Sequence, residues 1–282
     1  MDDAYSSMLS DFSLETTAQG AEHFQMLSDV PEGTQVKVAF LGNETFDQRL
    51  SAIEVLCASR VCPMPIISAR RLESAWVLDS YLTQAKQVGQ IESIFLVGGD
   101  PSTPQGVFAD SLDVINSNIL DRFDIKTVGI AGYPEGHPRI HTEVLWACLK
   151  RKVDELSSRG FSVEITTQLS FDAERVIFWV EQIRSEGIHV PIRIGIPSPS
   201  TVKGLLKFAG QCRVGTSLRL LRQYGWQVTS LLGNVGPADF LEAFREGVQD
   251  RDLGDVRLHV FPMGDLSTVM LWMKGVATQP CE

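Results

Sequence analysis

Several features that mark common classes of protein are missing from this chain of 282 residues. Its five cysteines form no Cys-x-x-Cys pair, and no apolar run approaches the roughly 18 residues that a membrane-spanning helix requires. No lysine or arginine precedes Lys37, so the basic segment that begins a secretory signal is also missing. We therefore predict a cytoplasmic protein with reduced cysteines and no membrane partner.

Positive charge is also scarce. The formal net charge is −10 and the sequence pI is about 5.0. Proteins that bind nucleic acids present clustered basic side chains to the phosphate backbone. The composition therefore predicts no nucleic-acid partner and favours a small-molecule ligand.

Three signature motifs are absent as well. No Gly-x-Gly-x-x-Gly stands between a strand and a helix, which argues against a dinucleotide-binding doubly wound sheet. No Gly-x-Ser-x-Gly marks a serine nucleophile, and no group of His, Cys and Glu has the spacing of metal ligands.

What the sequence does contain is a regular alternation of strand and helix patterns. Period-two or short β-branched runs predict strands at 11–15, 36–41, 65–68, 93–97, 127–131, 162–168, 190–196 and 256–261. Helical spacing predicts helices at 21–27, 46–59, 72–88, 107–120, 140–159, 172–186, 201–224, 237–249 and 266–277. Eight strands alternating with helices over this length predict a single (β/α)8 barrel domain, residues 1–282.

Candidate functional groups follow the predicted strands, where active sites of such barrels lie. Glu15 ends the first strand and is either a proton donor with a raised pKa or a solvated loop acid. Asp100 follows Gly98 and Gly99, whose backbone allows close approach of a ligand, although Asp also caps turns.

Ring, amide and charged side chains complete the candidate set. Tyr133 and His137 flank a proline-rich loop after the fifth strand and suit a planar ligand. Arg151 and Lys152 are either a solvated charge pair or a clamp for a diphosphate. Phe208, without other information, is predicted to be a core residue.

The residues at these strand ends resemble those of the methylenetetrahydrofolate reductase family of flavin-dependent (β/α)8 oxidoreductases in one-carbon metabolism and methionine biosynthesis. The tyrosine-to-histidine loop and the Leu-Lys-Arg-Lys-Val-Asp helix, in order and correctly spaced, are the most specific part of the resemblance. The matching segments are Phe12-Ser-Leu-Glu15, Gly99-Asp100, Ala131-Gly-Tyr-Pro-Glu-Gly-His-Pro138, Leu149-Lys-Arg-Lys-Val-Asp154, Thr167-Gln168 with Phe171-Asp172, and Gly195-Ile196 through Lys207-Phe208.

The resemblance implies bound FAD and a tetrahydrofolate substrate, with NAD(P)H as a possible electron donor. Catalytic roles fall to Glu15, which would protonate methylenetetrahydrofolate, and to Asp100, which would tune the flavin and meet the pterin. Gln168 would bind the pterin, and Phe208 would stack on the aminobenzoate. The implied FAD contacts are Gly99, Asp100, Ala109, Tyr133, His137, Arg151 and Lys152.

Several positions depart from the family pattern, and they leave alternatives open. Gly98 replaces an arginine, Ala39 a threonine, Ile66 a histidine and Gly204 a glutamine, and Thr16-Thr17 stands where a proline pair often follows the first-strand glutamate. The leading hypothesis is an enzyme that interconverts 5,10-methylenetetrahydrofolate and 5-methyltetrahydrofolate through FAD. One alternative is a flavin-independent reductase that uses NAD(P)H directly, and another is a folate-binding homologue without turnover. A homo-oligomer is compatible with each hypothesis.

Overall fold

The computed structural model describes residues 8–27, 29–201, 204, 234–249 and 251–278. Within them, eight strands close a parallel barrel, which confirms the predicted fold class. The strands in chain order are β1 (Ser13–Thr16), β2 (Gln35–Val38), β3 (Cys62–Ser68), β4 (Ser93–Val97), β5 (Thr127–Gly132), β6 (Ser162–Thr167), β7 (Ile192–Pro197), β8 (Ser200–Thr201), β9 (Asn234–Val235) and β10 (Val256–Phe261). The barrel order is β1-β10-β7-β6-β5-β4-β3-β2, whereas β8 and β9 form a separate antiparallel pair that the sequence did not predict.

Helices alternate with the barrel strands, as the periodicity predicted. They are α1 (Phe46–Ala58), α2 (Ala75–Gly89), α3 (Ser111–Asn116), α4 (Thr142–Ser158), α5 (Ala173–Ser185), α6 (Ala238–Gly247) and α7 (Leu266–Thr278). A 3-10 helix, Gln19–Met26, stands where a first weak helix was predicted. The helix predicted at 201–224 lies outside the described residues, apart from its first residue and residue 204. Each helix in the described part of the chain is too short or too polar to span a bilayer.

Side chains at the helix beginnings explain where several helices start. Thr45 and Gln48 form a capping box at α1, in which each side chain accepts from the other residue's backbone N–H. At α2 and α5 only one bond of this kind forms. The side chains of Ser74 and Asp172 each accept a hydrogen bond from the backbone N–H three residues further along the chain. These caps satisfy donors that the first helical turn leaves unpaired.

Several predicted boundaries were wrong, and two helices show why. Between residues 107 and 120 the helix is limited to α3, because Asp110 caps it at Ser111 and Val107 is an exposed loop residue. The helix α2 does not stop before Gly89 but includes it, and Gln90 ends the helix in the left-handed conformation at φ 46°.

The chain forms two compact units. The Glu15 unit comprises Ser13–Ala131 and Cys148–Ile165. The Tyr133 unit comprises Met1–Phe12, Gly132–Ala147 and Thr166–Glu282, of which the residues named above are described. That the chain is one domain stays a prediction.

The interior of the Glu15 unit is filled by large side chains from neighbouring strands. Met64 on β3 and Phe95 on β4 pack in an apolar cluster with Ala39 and Ile66. Gly129 on β5 faces this cluster, and a Cβ there would stand 2.4 Å from the Phe95 ring and 2.7 Å from Met64. A glycine at this position therefore makes room for the two larger side chains.

Candidate functional site

Glu15 lies at the end of β1, one residue before the strand stops. Its side chain is half-buried, and the loss of surrounding water raises the pKa of the carboxyl group from 4.5 to about 7, against the opposing charge of Lys37. A carboxyl group with a pKa near neutrality that remains accessible is suited to proton transfer. The environment of Glu15 is therefore unlike that of a solvated loop acid, and its role as a proton donor stays a prediction.

Lys37 is a functional candidate that the sequence interpretation missed. It is fully buried, its Nζ lies 3.5 Å from Oε1 of Glu164 on β6, and the same atom stands 4.6 Å from the centre of the Phe95 ring. Burying an ammonium group is costly unless it is paired, so the ion pair accounts for its place inside the unit. The available signal was a charged residue in the middle of the apolar strand Val36-Lys37-Val38.

Asp100 lies in the loop after β4 and is bound by an arginine from the turn after β3. Arg71 forms an ion pair with it, and the neighbouring Arg70 donates its backbone N–H to the carbonyl of Gly98 at 2.9 Å and its Nη1 to that of Pro101 at 3.1 Å. The turn after β3 thus holds the Gly98–Pro101 loop at both ends. The sequence predicted Asp100 but not Arg71.

The strand ends between Glu15 and Asp100 are apolar. Ala39 and Ile66 belong to the buried cluster with Met64 and Phe95, and Val97 and Ala131 pack against it. Two of the departures from the family pattern therefore lie in one apolar patch. These side chains can pack against the ring of a bound ligand, but they cannot form hydrogen bonds to it.

Ala109 and Lys152 each lie near an aspartate of the segment that begins α3, Asp113 for Ala109 and Asp110 for Lys152. Lys152 on α4 is half-buried, and burial lowers the pKa of its amine, opposed by the nearby charges of Cys148 and Asp110. The backbone N–H of Ala109 donates to Oδ2 of Asp113 at 2.7 Å. Arg151, by contrast, is exposed, so the two cations differ in environment. Lys152 is the better placed of the pair to gain from an anionic ligand, because it has already lost water.

The loop after β5 holds two rings against each other in the Tyr133 unit. The rings of Tyr133 and His137 meet edge to face with centroids 5.4 Å apart. Burial raises the pKa of Tyr133, while burial and the charge of Arg139 lower that of His137. The backbone N–H of Arg139 donates to Nδ1 of His137 at 3.2 Å, which leaves Nε2 as the protonated nitrogen of the neutral ring. Both rings are therefore uncharged and fixed in orientation near neutral pH.

Glu135 in the same loop is a second residue that the sequence interpretation missed. Its Oε1 accepts from Oγ of Ser170 at 2.6 Å and from the backbone N–H of Phe171 at 3.3 Å. These bonds tie the loop after β5 to the loop after β6. Gln168, the first residue after β6, donates its backbone N–H to the carbonyl of Gly132 at the end of β5, at 2.8 Å. The Gln168 side chain turns back so that Oε1 accepts from the N–H of Leu169.

The structure groups the predicted residues within each unit. The Glu15 unit contains Glu15, Gly99, Asp100, Ala109, Arg151 and Lys152, and the Tyr133 unit contains Tyr133, His137 and Gln168. Phe208 lies outside the described residues. The strand order defines a parallel (β/α)8 barrel, and Glu15, Asp100 and Tyr133 each stand at or just after the carboxyl end of a strand.

The family of the chain follows from its sequence. Residues 43–224 match the profile of the family described as "Methylenetetrahydrofolate reductase", and this segment is more than half of the chain. The chain belongs to the methylenetetrahydrofolate reductase family, as its motifs indicated.

Curated relatives match over part of their length. The chain is 34% identical over 140 residues to methylenetetrahydrofolate reductase (NADH) 1 of Arabidopsis thaliana, a match that covers 44% of this chain and 23% of that protein. It is 31% identical over 140 residues to methylenetetrahydrofolate reductase 2 of Saccharomyces cerevisiae, covering 47% of this chain and 23% of that protein. The matched part thus spans about a quarter of the length of these relatives.

A solved structure shares the fold over nearly the whole chain. It is an uncharacterised protein from Clostridium thermocellum, described as binding two copies of 5-methyl-5,6,7,8-tetrahydrofolic acid. The TM-score is 0.63 at 12% identity, and the match covers 96% of this chain and 97% of that one. At this identity the likeness supports the barrel fold.

Proposed function

We propose that this protein interconverts 5,10-methylenetetrahydrofolate and 5-methyltetrahydrofolate, with Glu15 as the proton donor. The observation that carries the proposal is the half-buried carboxyl group at the end of β1, whose pKa burial raises to about 7. Membership of the family supports the reaction type, and the relatives are named as reductases.

The proton step follows from the chemistry of the substrate. Glu15, about half protonated at pH 7, gives its proton to a ring nitrogen of methylenetetrahydrofolate, the bond between that nitrogen and the methylene carbon breaks, and an iminium ion remains. A hydride then reduces the iminium carbon to a methyl group. Raising the pKa of Glu15 keeps a substantial protonated fraction at pH 7, where an ordinary glutamate is almost fully ionised.

Substrate contacts are proposed for three residues. Asp100, whose carboxylate Arg71 fixes, would accept hydrogen bonds from the pterin, since an ionised carboxylate is an acceptor only. Gln168 would offer its side-chain amide to the same ring. Phe208 would stack on the aminobenzoate, a role that rests on its place in the family motif.

The residues present fit FAD in two respects, and we infer that it is the cofactor. Lys152 is a partly desolvated amine near Asp110 and, with Arg151, would pair with the diphosphate. Tyr133 and His137 are neutral rings of fixed orientation that would pack against the flavin, and Gly99 and Asp100 would line it. When bound, FAD would carry the hydride between an electron donor and the folate.

NADH is the proposed electron donor, because plant relatives are named as NADH enzymes. Direct hydride transfer from NADH to the folate is a second candidate function. It is favoured by Ala39 and Ile66, since both belong to the apolar cluster and provide no hydrogen bond to a flavin.

The absorbance spectrum of the purified protein separates the candidates. We expect a flavin spectrum near one equivalent per chain, bleached by NADH without oxygen and restored by methylenetetrahydrofolate. Protein without flavin that still oxidises NADH with methylenetetrahydrofolate would support direct transfer. Protein that binds folate but turns over under neither condition would contradict both reductase proposals.

Glu15→Gln then tests the proton donor. Replacing it should slow oxidation of the reduced enzyme by methylenetetrahydrofolate by about 10²- to 10⁴-fold, the usual effect of a general acid. The reaction with NADH should be unchanged, because no proton from Glu15 is needed there. The exposed Glu22→Gln in the neighbouring 3-10 helix is the matched control, with both reactions at parental rates. A loss of less than about threefold in Glu15→Gln would remove Glu15 from the mechanism.

A further inference from the structure

Glu15 and Lys37 occupy paired positions on neighbouring parallel strands. In the register of β1 and β2, Glu15 is the partner of Lys37, and Lys37 in turn is the partner of Met64 on β3. Paired residues of adjacent parallel strands point to the same face of the sheet. Lys37 therefore projects from the same face as the proposed proton donor.

The surroundings of Lys37 hold its charge in place. The ion pair with Glu164 joins β2 to β6, two strands that are not neighbours, so it crosses the interior of the Glu15 unit. Lys37 is 0% exposed and Glu164 is 5% exposed, and the Phe95 ring lies against the ammonium group. In a site with little water the field of such a charge is screened weakly. Lys37 thus acts on two carboxyl groups, one fully buried and one half-buried.

We propose that Lys37 is a positioning residue that governs the protonation of Glu15, and that Glu164 sets how strongly it does so. The inference rests on the proposed function, in which Glu15 is the proton donor. The charge of Lys37 favours the ionised form of Glu15, whereas burial favours the protonated form. Glu164 shares the charge of Lys37 and weakens its effect on Glu15. This balance allows Glu15 both to release its proton and to regain it near neutral pH.

Charged groups on other barrel strands must be separated from this effect. Arg257 and His259 are the charged or titratable residues of β10, which follows β1 in the barrel order, and Arg193 lies on β7. The titration of Glu15 is therefore followed by itself, as the pH-dependent carboxyl band in the infrared difference spectrum. Subtracting the spectrum of Glu15→Gln removes contributions from every other group.

Two substitutions should move this titration in opposite directions. Lys37→Met removes the attracting charge and should raise the midpoint of the Glu15 titration by about one pH unit or more. Glu164→Gln leaves Lys37 to act on Glu15 alone and should lower the midpoint. A pair with a structural role only would leave the midpoint unmoved in both variants, or move it in the same direction, and either result would overturn the proposal.

A double variant covers the case in which a single substitution prevents folding. Lys37→Met with Glu164→Leu leaves no unpaired charge in the interior, an exchange that proteins often tolerate. Its midpoint should lie above that of the parent, because the charge of Lys37 is absent from it. A double variant that titrates with the parent midpoint would also overturn the proposal.

Folate reduction is measured separately, and its pH profile should shift in the same direction as the infrared midpoint in each variant. Because the titration needs neither folate nor NADH, the two proposals fail in different ways. If the two variants shift the Glu15 midpoint in opposite directions but the parent protein does not reduce folate, the proposed function is refuted and the control of Glu15 by Lys37 stands. If the parent reduces folate but both variants have the parent's midpoint, only the role of Lys37 is refuted.

Discussion

Arg71 donates two hydrogen bonds to one carboxylate oxygen of Asp100, from Nε at 3.1 Å and from Nη2 at 2.6 Å. The Arg71 side chain is 13% exposed and that of Asp100 is 53% exposed. The guanidinium group lies over the ring of Phe40, 5.6 Å from its centre. A well-packed arginine thus fixes the direction of an exposed carboxylate.

Arg71→Leu should weaken folate binding without unfolding the protein. Hydrogen bonds to a charged group contribute about 1.5–3 kcal/mol, so the loss of both bonds from Arg71 to Asp100 should raise the folate KM by about 10- to 100-fold. Steady-state kinetics and thermal unfolding measure the two effects. Arg60→Leu is the control, because it removes an exposed arginine that is paired with the exposed Glu32. Equal folate KM values in the two variants would show that Arg71 serves the loop and not the ligand.

Gly99→Ala should destabilise the protein, whereas Gly98→Ala should not. Gly99 has a φ of +94°, and a Cβ there would stand 2.1 Å from Oγ of the buried Ser68. Strain of this kind costs about 1–3 kcal/mol, which should appear in the free energy of unfolding measured with urea. A Cβ on Gly98 meets nothing within 4 Å. If the neighbouring variants unfold at the same urea concentration, the loop adopts a different backbone in solution.

Glu15→Gln should make the protein more stable than its parent above pH 7 and equally stable below pH 4.5. The folded protein holds the proton of Glu15 up to about pH 7, whereas the unfolded chain releases it near 4.5. The contribution of Glu15 is therefore complete below pH 4.5 and is lost as the pH rises through 7, by about 3 kcal/mol at most. Gln stays uncharged and avoids this loss. Urea unfolding at pH 5 and pH 8 measures the free energy of unfolding of both proteins. If it changes with pH by the same amount in the parent and in Glu15→Gln, the raised pKa of Glu15 is contradicted.

Replacement of both Tyr133 and His137 by alanine should release the proposed flavin. The two rings support each other edge to face, so removing one alone leaves the other in a changed position. We expect the double variant to lose flavin on desalting while the parent retains it. Phe178→Ala, which removes an aromatic side chain that is 60% exposed on α5, is the matched control and should retain flavin. Full retention in the double variant would make the loop a scaffold only.

Periodicity was sufficient to predict the barrel and the chain positions of most of its strands. Buried parallel strands read as short apolar runs, and a helix between each pair leaves few other topologies. Glu15 and Asp100 were predictable because each follows such a run directly. The end of β2 was harder to predict. The apolar run continues through Leu41, but Glu44 accepts the N–H groups of Leu41 and Gly42 and turns the chain after Val38.

The partners of the site residues were not predictable from spacing. Arg71 is 29 residues from Asp100 in the chain and Glu135 is 35 residues from Ser170, so each pair depends on which strands become neighbours. Lys37 and Glu164 meet across the interior, a contact that requires the barrel to be closed. Such contacts become visible only when the tertiary structure is known, because a charged residue on a strand has the same local signature whether it is paired or solvated.

The bond between Glu135 and Ser170 also limits how this region can vary in length. It closes the loops after β5 and β6 into one hydrogen-bonded frame, and the backbone bond from Gln168 to Gly132 fixes the base of that frame. An insertion in either loop alone would pull the carboxylate and the hydroxyl apart. Tolerated insertions and deletions should therefore fall elsewhere among the strand-to-helix connections, or occur in both loops together.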